Sequence, residues 1–146
     1  MMPILNYTTS IAVEKTVGQI QAMLAEAGAQ SILIEYDHER IVSSVSFRLD
    51  YNGALVSFRL PAQIDPLYVI LQNDNDVPRK LKTQEQAARV AWRIIKVWVA
   101  SQLAFIEAEQ VEMVEVFLPF AQNPATGETI FNQLVANDFA LLTHDH

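Results

Sequence analysis

The chain has 146 residues, 51% hydrophobic and 18% charged, with a formal net charge of −7. That is the length of one domain with enough apolar content for a core, which excludes a disordered chain. It contains no cysteine, which excludes disulfides, thiol catalysis and cysteine-based zinc sites, and its net acidity argues against non-specific nucleic-acid binding.

Asn6 to Ile11 (NYTTSI) is β-branched and aromatic and predicts an edge strand. Thr16, with Gln19 three residues on, has the form of a capping box. Val17, Ile20, Met23, Leu24 and Ala27 recur at helical spacing, so a helix is expected over about Val13 to Ala27. Gly28 is placed to cap it in the left-handed region. Ser31 to Tyr36 reads as a strand, and Asp37 to Arg40 as a polar turn.

Ile41 to Tyr51 alternates between apolar and polar positions. Asn52-Gly53 then supplies the two positive-φ residues of a type I′ hairpin turn. That turn sets Tyr51 against Ala54, Leu49 against Val56, Phe47 against Phe58 and Val45 against Leu60. Every pair on that face is apolar, and a one-residue slip would destroy the match. Asp50–Leu55, Arg48–Ser57 and Ser46–Arg59 fall on the other face, and Pro61 ends the strand.

Asp65-Pro66 has the form of an N-cap followed by a first-turn proline, with a short helix to about Gln72. Asn73 to Pro78 is a polar, turn-forming loop. Thr83 to Phe117 then runs for 35 residues without Gly or Pro, long enough as a single helix to span roughly 50 Å. Thr83 and Gln86 form its expected capping box. A kink or restart is expected near Glu107 to Gln110, because single helices this long are uncommon in small domains. Leu118-Pro119-Phe120 closes the stretch and Asn123 to Gly127 is a turn. Thr129 to Asn137 reads as a last short helix, with Phe139, Leu141 and Leu142 apolar enough to dock the tail.

These elements imply one α+β domain over residues 1–146. The expected form is a small, mainly antiparallel sheet in the order β-α-β-β-β, covered on one face by helices, one of them long and in the C-terminal half. No apolar run reaches the length of a membrane span, and no basic region precedes an apolar core at the start. A cytoplasmic protein without membrane contact is therefore expected.

Charge is unevenly placed. Residues 1–96 hold all ten Lys and Arg against ten Asp and Glu, whereas residues 97–146 hold seven acids and no Lys or Arg. Six bases, Arg79, Lys80, Lys82, Arg89, Arg93 and Lys96, lie within 18 residues. Such a local cluster can bind phosphate, and single-stranded nucleic acid is the expected ligand. Glu107, Glu109, Glu112 and Glu115 follow near the end of the long stretch, where acids oppose the helix dipole. The apolar segment Ile94 to Val99 suits a helix–helix homodimer, which a charge at Val97 or Val99 would disrupt.

Chemistry leaves little trace. Asp74 and Asp76 lack the glycine and distal Glu of a helix–loop–helix calcium site. His38 falls in a turn, and His144 and His146 flank Asp145 at the terminus, too few ligands for a metal site. There is no nucleophile elbow and no phosphate-binding glycine loop. No catalytic residue, metal or cofactor is assigned, and a non-enzymatic protein is expected.

Three segments carry a resemblance: residues 7–30 (YTTSIAVEKTVGQIQAMLAEAGAQ), VSFRL with FRLP around the hairpin, and residues 86–120 (QAARVAWRIIKVWVASQLAFIEAEQVEMVEVFLPF). In these the chain resembles an uncharacterised family found in tailed-phage, prophage and bacterial genomes. The resemblance implies a phage or mobile-element setting and a role around phage DNA or a host partner. It supplies no catalytic residue. Two functions are thus expected of the sequence: an accessory protein binding nucleic acid through the basic cluster, or a protein–protein interaction module or homo-oligomer with no nucleic-acid contact.

Overall fold

Asn52 and Gly53 both take positive φ, 54° and 90°, as a type I′ turn requires. They join β2 (Val42–Tyr51) to β3 (Ala54–Pro61) in the register that the alternation implies. Phe47 lies opposite Phe58 and Val45 opposite Leu60. β1 (Ser31–Tyr36) pairs antiparallel with the other side of β2, Ile32 against Phe47 and Ile34 against Val45. The sheet has three strands in the order β1-β2-β3.

The computed structural model describes residues 4–144. Five α-helices accompany the sheet among these residues: α1 (Val13–Glu26), α2 (Ile64–Asn73), α3 (Gln84–Glu107), α4 (Met113–Phe117) and α5 (Ile130–Ala136). Short 3₁₀ turns occupy Arg79–Leu81 and Leu118–Phe120. The fold is α+β. No described helix is long and apolar enough to cross a membrane.

One apolar core joins the inward face of the sheet to the helices. It contains Val17, Ile20 and Leu24 of α1, Val45, Phe47, Phe58 and Leu60 of the hairpin, Trp92 and Val99 of α3, and Phe117 of α4. Trp92 is fully buried, and its indole N–H donates to the Val42 carbonyl at 3.0 Å. The ring therefore fills the core without leaving a buried polar atom unpaired. Smaller clusters pack α2 against the first half of α3, through Leu67 with Val90 and Ala91, and Leu71 with Ala87.

The long stretch is two helices. α3 ends at Glu107 and α4 restarts at Met113. Trp98 and Phe117 are 19 residues apart in sequence, which a straight helix would place about 28 Å apart. Instead their rings meet edge-on, with centroids 5.5 Å apart. Phe117 also packs on Phe47 at 5.3 Å and Phe58 at 6.4 Å. The break folds this ring back into the core.

Four local expectations are corrected. Residues 6–11 form no strand: 5–8 are a turn and 9–11 take no regular structure, Asn6 takes φ 62°, and the carbonyls of Tyr7 and Thr9 are bound by the Gln86 side chain. Thr16 does not cap α1, which starts at Val13. It is buried inside the helix. α2 begins at Ile64 with Gln63 as its N-cap, so Asp65-Pro66 sits two residues deeper, still within the first turn where a missing N–H costs nothing. Phe139 docks on Phe131, ring centroids 6.1 Å apart, but Leu141 is 85% exposed and Leu142 is also exposed. His144 is exposed too, while Asp145 and His146 lie outside the described residues.

Phe117→Ala is expected to destabilise the fold by about 3–5 kcal/mol, whereas exposed Val69→Ala should cost no more than about 0.5 kcal/mol. Urea denaturation of both variants measures the difference. Equal losses would show that the aromatic cluster does not hold α4 in place.

Candidate interaction site

The six bases of the sequence cluster are placed on α3 and the turn before it, and several are engaged within the chain. Arg93 donates to the Gln19 side-chain oxygen at 2.8 Å and lies 3.5 Å from Thr16 Oγ1, which ties α3 to α1. Arg89 donates to Gln86 Oε1 at 3.1 Å and pairs with Glu85 at 3.9 Å. Lys82 Nζ donates to the Gln72 carbonyl at 3.2 Å, bracing the end of α2. Lys96 is half-buried, and Arg79 and Lys80 are exposed in the 3₁₀ turn.

Gln86 organises this end of the molecule. It is buried, and its amide donates to the Tyr7 and Thr9 carbonyls, each at 2.9 Å, while its oxygen accepts from Arg89. The Thr83 hydroxyl accepts from the Gln86 backbone N–H at 3.0 Å. The expected cap is thus half formed, because the Gln86 side chain reaches across to the N-terminal segment instead of back to Thr83.

Arg48 and Arg59 of the hairpin lie on the sheet face turned away from the core. Arg48 donates to Ser57 at 3.2 Å. Arg59 and Ser44 both donate to Glu35 Oε1, at 3.3 and 2.9 Å. The Ser44 hydroxyl first, and then the Arg59 guanidinium, hold the Glu35 carboxyl below its ordinary value of 4.5, against a smaller opposing effect of burial. No aromatic ring from β1–β3 alternates onto this outward face between the two arginines, where a base would need one to stack.

Val97 is exposed on α3, whereas Val99 is fully buried in the core. Only Val97 is thus available to a second helix. A charge at Val99 would disrupt the fold itself.

A concavity lies where α3 breaks. It is an open cleft of about 1100 Å³ between the end of β2 and the α3–α4 connection. The Glu109 N–H donates to the Ile106 carbonyl at 2.9 Å and the Gln110 N–H to the Phe105 carbonyl at 3.2 Å, a Schellman closure. α1 ends in the same way, with Gly28 donating to Ala25 and Ala29 to Leu24. Gly28 takes φ 113° there, but at the equivalent place in α3 Glu109 takes φ 60°.

α4 then opens with a capping box. The Glu112 side chain accepts from the backbone of Glu115, and Glu115 Oε1 accepts from the Glu112 N–H at 3.2 Å. The Tyr51 hydroxyl donates to Glu112 Oε2 at 3.3 Å, linking the end of β2 to the start of α4. Asp50, Glu109, Glu112 and Glu115 line the cleft together with Leu49, Ile106, Met113 and Val114, and no Lys or Arg is among its lining residues. The acids on α3 and α4 were visible in the sequence. Leu49, Asp50 and Tyr51 were not, because the fold brings them from about 60 residues away. Glu112-x-x-Glu115 was a legible cap signal in the form of an acidic capping box.

Such a site can hold a ligand by charge and apolar contact. Among the described residues, no group of three or more His, Asp or Glu side chains could hold a metal ion. Comparisons with family models, curated proteins and solved structures found no match for this chain.

Glu109→Gly is expected to stabilise the protein by about 1 kcal/mol, since glycine takes the left-handed conformation without the Cβ clash. Thermal melts read it, and an unchanged or lower Tm would mean that the backbone at this position carries no strain. A second expectation concerns Glu35. With its folded pKa depressed, its contribution is fully present above the unfolded value and is lost as pH falls through the folded value. Glu35→Gln should therefore cost a surface-pair amount, about 0.5 kcal/mol, at neutral pH, and nothing at strongly acid pH. A pH series of melts tests this, and a difference that persists in acid would contradict it.

Proposed function

We propose that the protein is a non-enzymatic interaction module, of the phage or prophage kind its sequence resembles, that takes a basic partner segment with apolar anchors in the α3–α4 cleft. The observation that carries this reading is the acidic rim over an apolar floor. Asp50, Glu109, Glu112 and Glu115 share the cleft with Leu49, Ile106, Met113 and Val114, with no basic side chain among them. Complementary charge steers a basic partner and sets its orientation, and burial of apolar anchors supplies the affinity. The cleft is open and exceeds the usual size of a small-molecule site, which suits a peptide segment better than a compact metabolite.

The nucleic-acid reading keeps one observation in its favour. Arg79 and Lys80 are both exposed, beside half-buried Lys82. Against it stand the internal engagement of Arg89 and Arg93 and the acidity of everything beyond Lys96.

One experiment separates the two. Fluorescence anisotropy is measured with a labelled Lys- and Leu-rich amphipathic peptide and with a labelled single-stranded oligonucleotide, each at two salt concentrations. The peptide is expected to bind, more weakly at high salt, and Glu109→Gln with Glu115→Gln should weaken it about tenfold, roughly the effect of losing two charge contacts. Peptide binding that the double variant leaves unchanged would sink the cleft reading. Salt-sensitive oligonucleotide binding, lost in Arg79→Ala with Lys80→Ala, would favour the basic cluster instead.

A further inference from the structure

The two edges of the sheet are treated differently. The outer edge of β3 is covered by the chain itself: the Gln122 N–H donates to the Ser57 carbonyl at 2.8 Å, and Ala121 bridges to Phe58. β1 is the other edge strand, and among the described residues it pairs with β2 alone. An open strand edge is a template for another strand unless it is guarded by proline, lysine, an inward charge or a bulge, and the irregularity in the pairing of β1 lies at its very end, between Glu35 and Tyr36. The strand SILIEY has neither proline nor lysine. Its one charge, Glu35, is turned across the sheet to Ser44 and Arg59.

We propose that β1 pairs antiparallel with β1 of a second copy, centred on Leu33, to make a continuous six-stranded sheet. A two-fold strand pair must place like faces together, so only alternate registers are open. Centred on Leu33, the pairing sets Leu33 against its own copy and Ile32 against Ile34 of the second copy. Ser31 then meets Glu35 of the second copy at both ends. All pairs are apolar with apolar or polar with polar. Glu35 Oε1 is taken by Ser44 and Arg59, which leaves Oε2 to accept from the Ser31 hydroxyl across the interface.

The neighbouring registers fail. Centring on Ile34 sets Glu35 against Leu33, and centring on Glu35 opposes two like charges. The regular ladder also ends in a register shift between Glu35 and Tyr36. The uninterrupted segment is therefore Ser31 to Glu35, whose midpoint is Leu33. Leu33 is 60% exposed in the single chain, and this pairing covers it. The surface is separate from the α3–α4 cleft and does not depend on that reading.

The test is the mass of the full chain by light scattering from micromolar to millimolar concentration, with Leu33→Lys as the variant. A monomer–dimer equilibrium is expected, weakened at least about tenfold by two lysines placed opposite one another. Leu33 points to solvent, so the variant should keep the wild-type circular dichroism and peptide binding. A wild type that stays monomeric, or a dimer indifferent to Leu33→Lys, overturns the proposal.

A second measurement stands even if that variant misfolds. The chain has no cysteine, so one introduced thiol is a clean probe. Under oxidation, Leu33→Cys is expected to cross-link much faster than Leu55→Cys, because Leu55 is equally exposed on the same sheet face but lies on β3. Directly opposed strand residues have Cβ atoms about 4.5–5.5 Å apart, near disulfide reach. Equal rates for the two variants would overturn the proposed register.

Discussion

The packing of Phe117 against Trp98, Phe47 and Phe58 is the contact on which the rest of the C-terminal half depends. The ring is fully buried and meets aromatic groups from α3 and from both strands of the hairpin. Burying such a side chain is worth about 2–3 kcal/mol, and each well-placed aromatic pair adds about 0.5–1.5 kcal/mol. Against this stands a left-handed Glu109, which costs roughly 1–2 kcal/mol. The burial outweighs the strain, so a stretch with no helix-breaking residue nevertheless breaks.

That break also alters the electrostatics of the acids. On one continuous helix, Glu107 to Glu115 would all face the unfavourable end of the dipole. After the break, Glu112 and Glu115 stand at the start of α4, where carboxylates satisfy free N–H groups and suit the local field. Glu107 and Glu109 remain at the C-terminal end of α3. The same turn separates α4 from α3 far enough to open the acidic cleft, with Tyr51 bridging to Glu112. The candidate site is therefore a by-product of placing one aromatic ring.

The basic half of α3 has a different role. Arg93 reaches Gln19 and Thr16 on α1, and Arg89 joins Gln86, whose amide holds the turn at Tyr7 and Thr9. Partly buried guanidinium groups need such acceptors, and here side-chain oxygens of Gln19 and Gln86, with Glu85 beside Arg89, supply them. Three of the six bases thus make contacts within the fold: Lys82 to the end of α2, Arg93 to α1 and Arg89 along α3 itself.

Local signals read from sequence proved reliable where the physics is local. Asn52-Gly53 and the strict alternation around it determined the hairpin and its register, because a two-residue turn and a period of two leave one consistent pairing. Gly28 and Thr83 marked helix ends for the same reason. Residues 6–11 were not settled this way, because the Gln86 side chain reaches the Tyr7 and Thr9 carbonyls from α3, and α1 and α2 start one or more residues before their capping signals, at positions with no side-chain cap. The acids that α3 and α4 bring to the cleft could be read from the sequence by themselves, but Leu49, Asp50 and Tyr51 from the end of β2 could not. The break near Glu107 was expected from the length of the stretch; what only the tertiary structure decided is where Phe117 goes and, with it, the cleft and the covering of one sheet edge. Those depend on contacts between residues tens of positions apart, and no local preference along the chain encodes their distance.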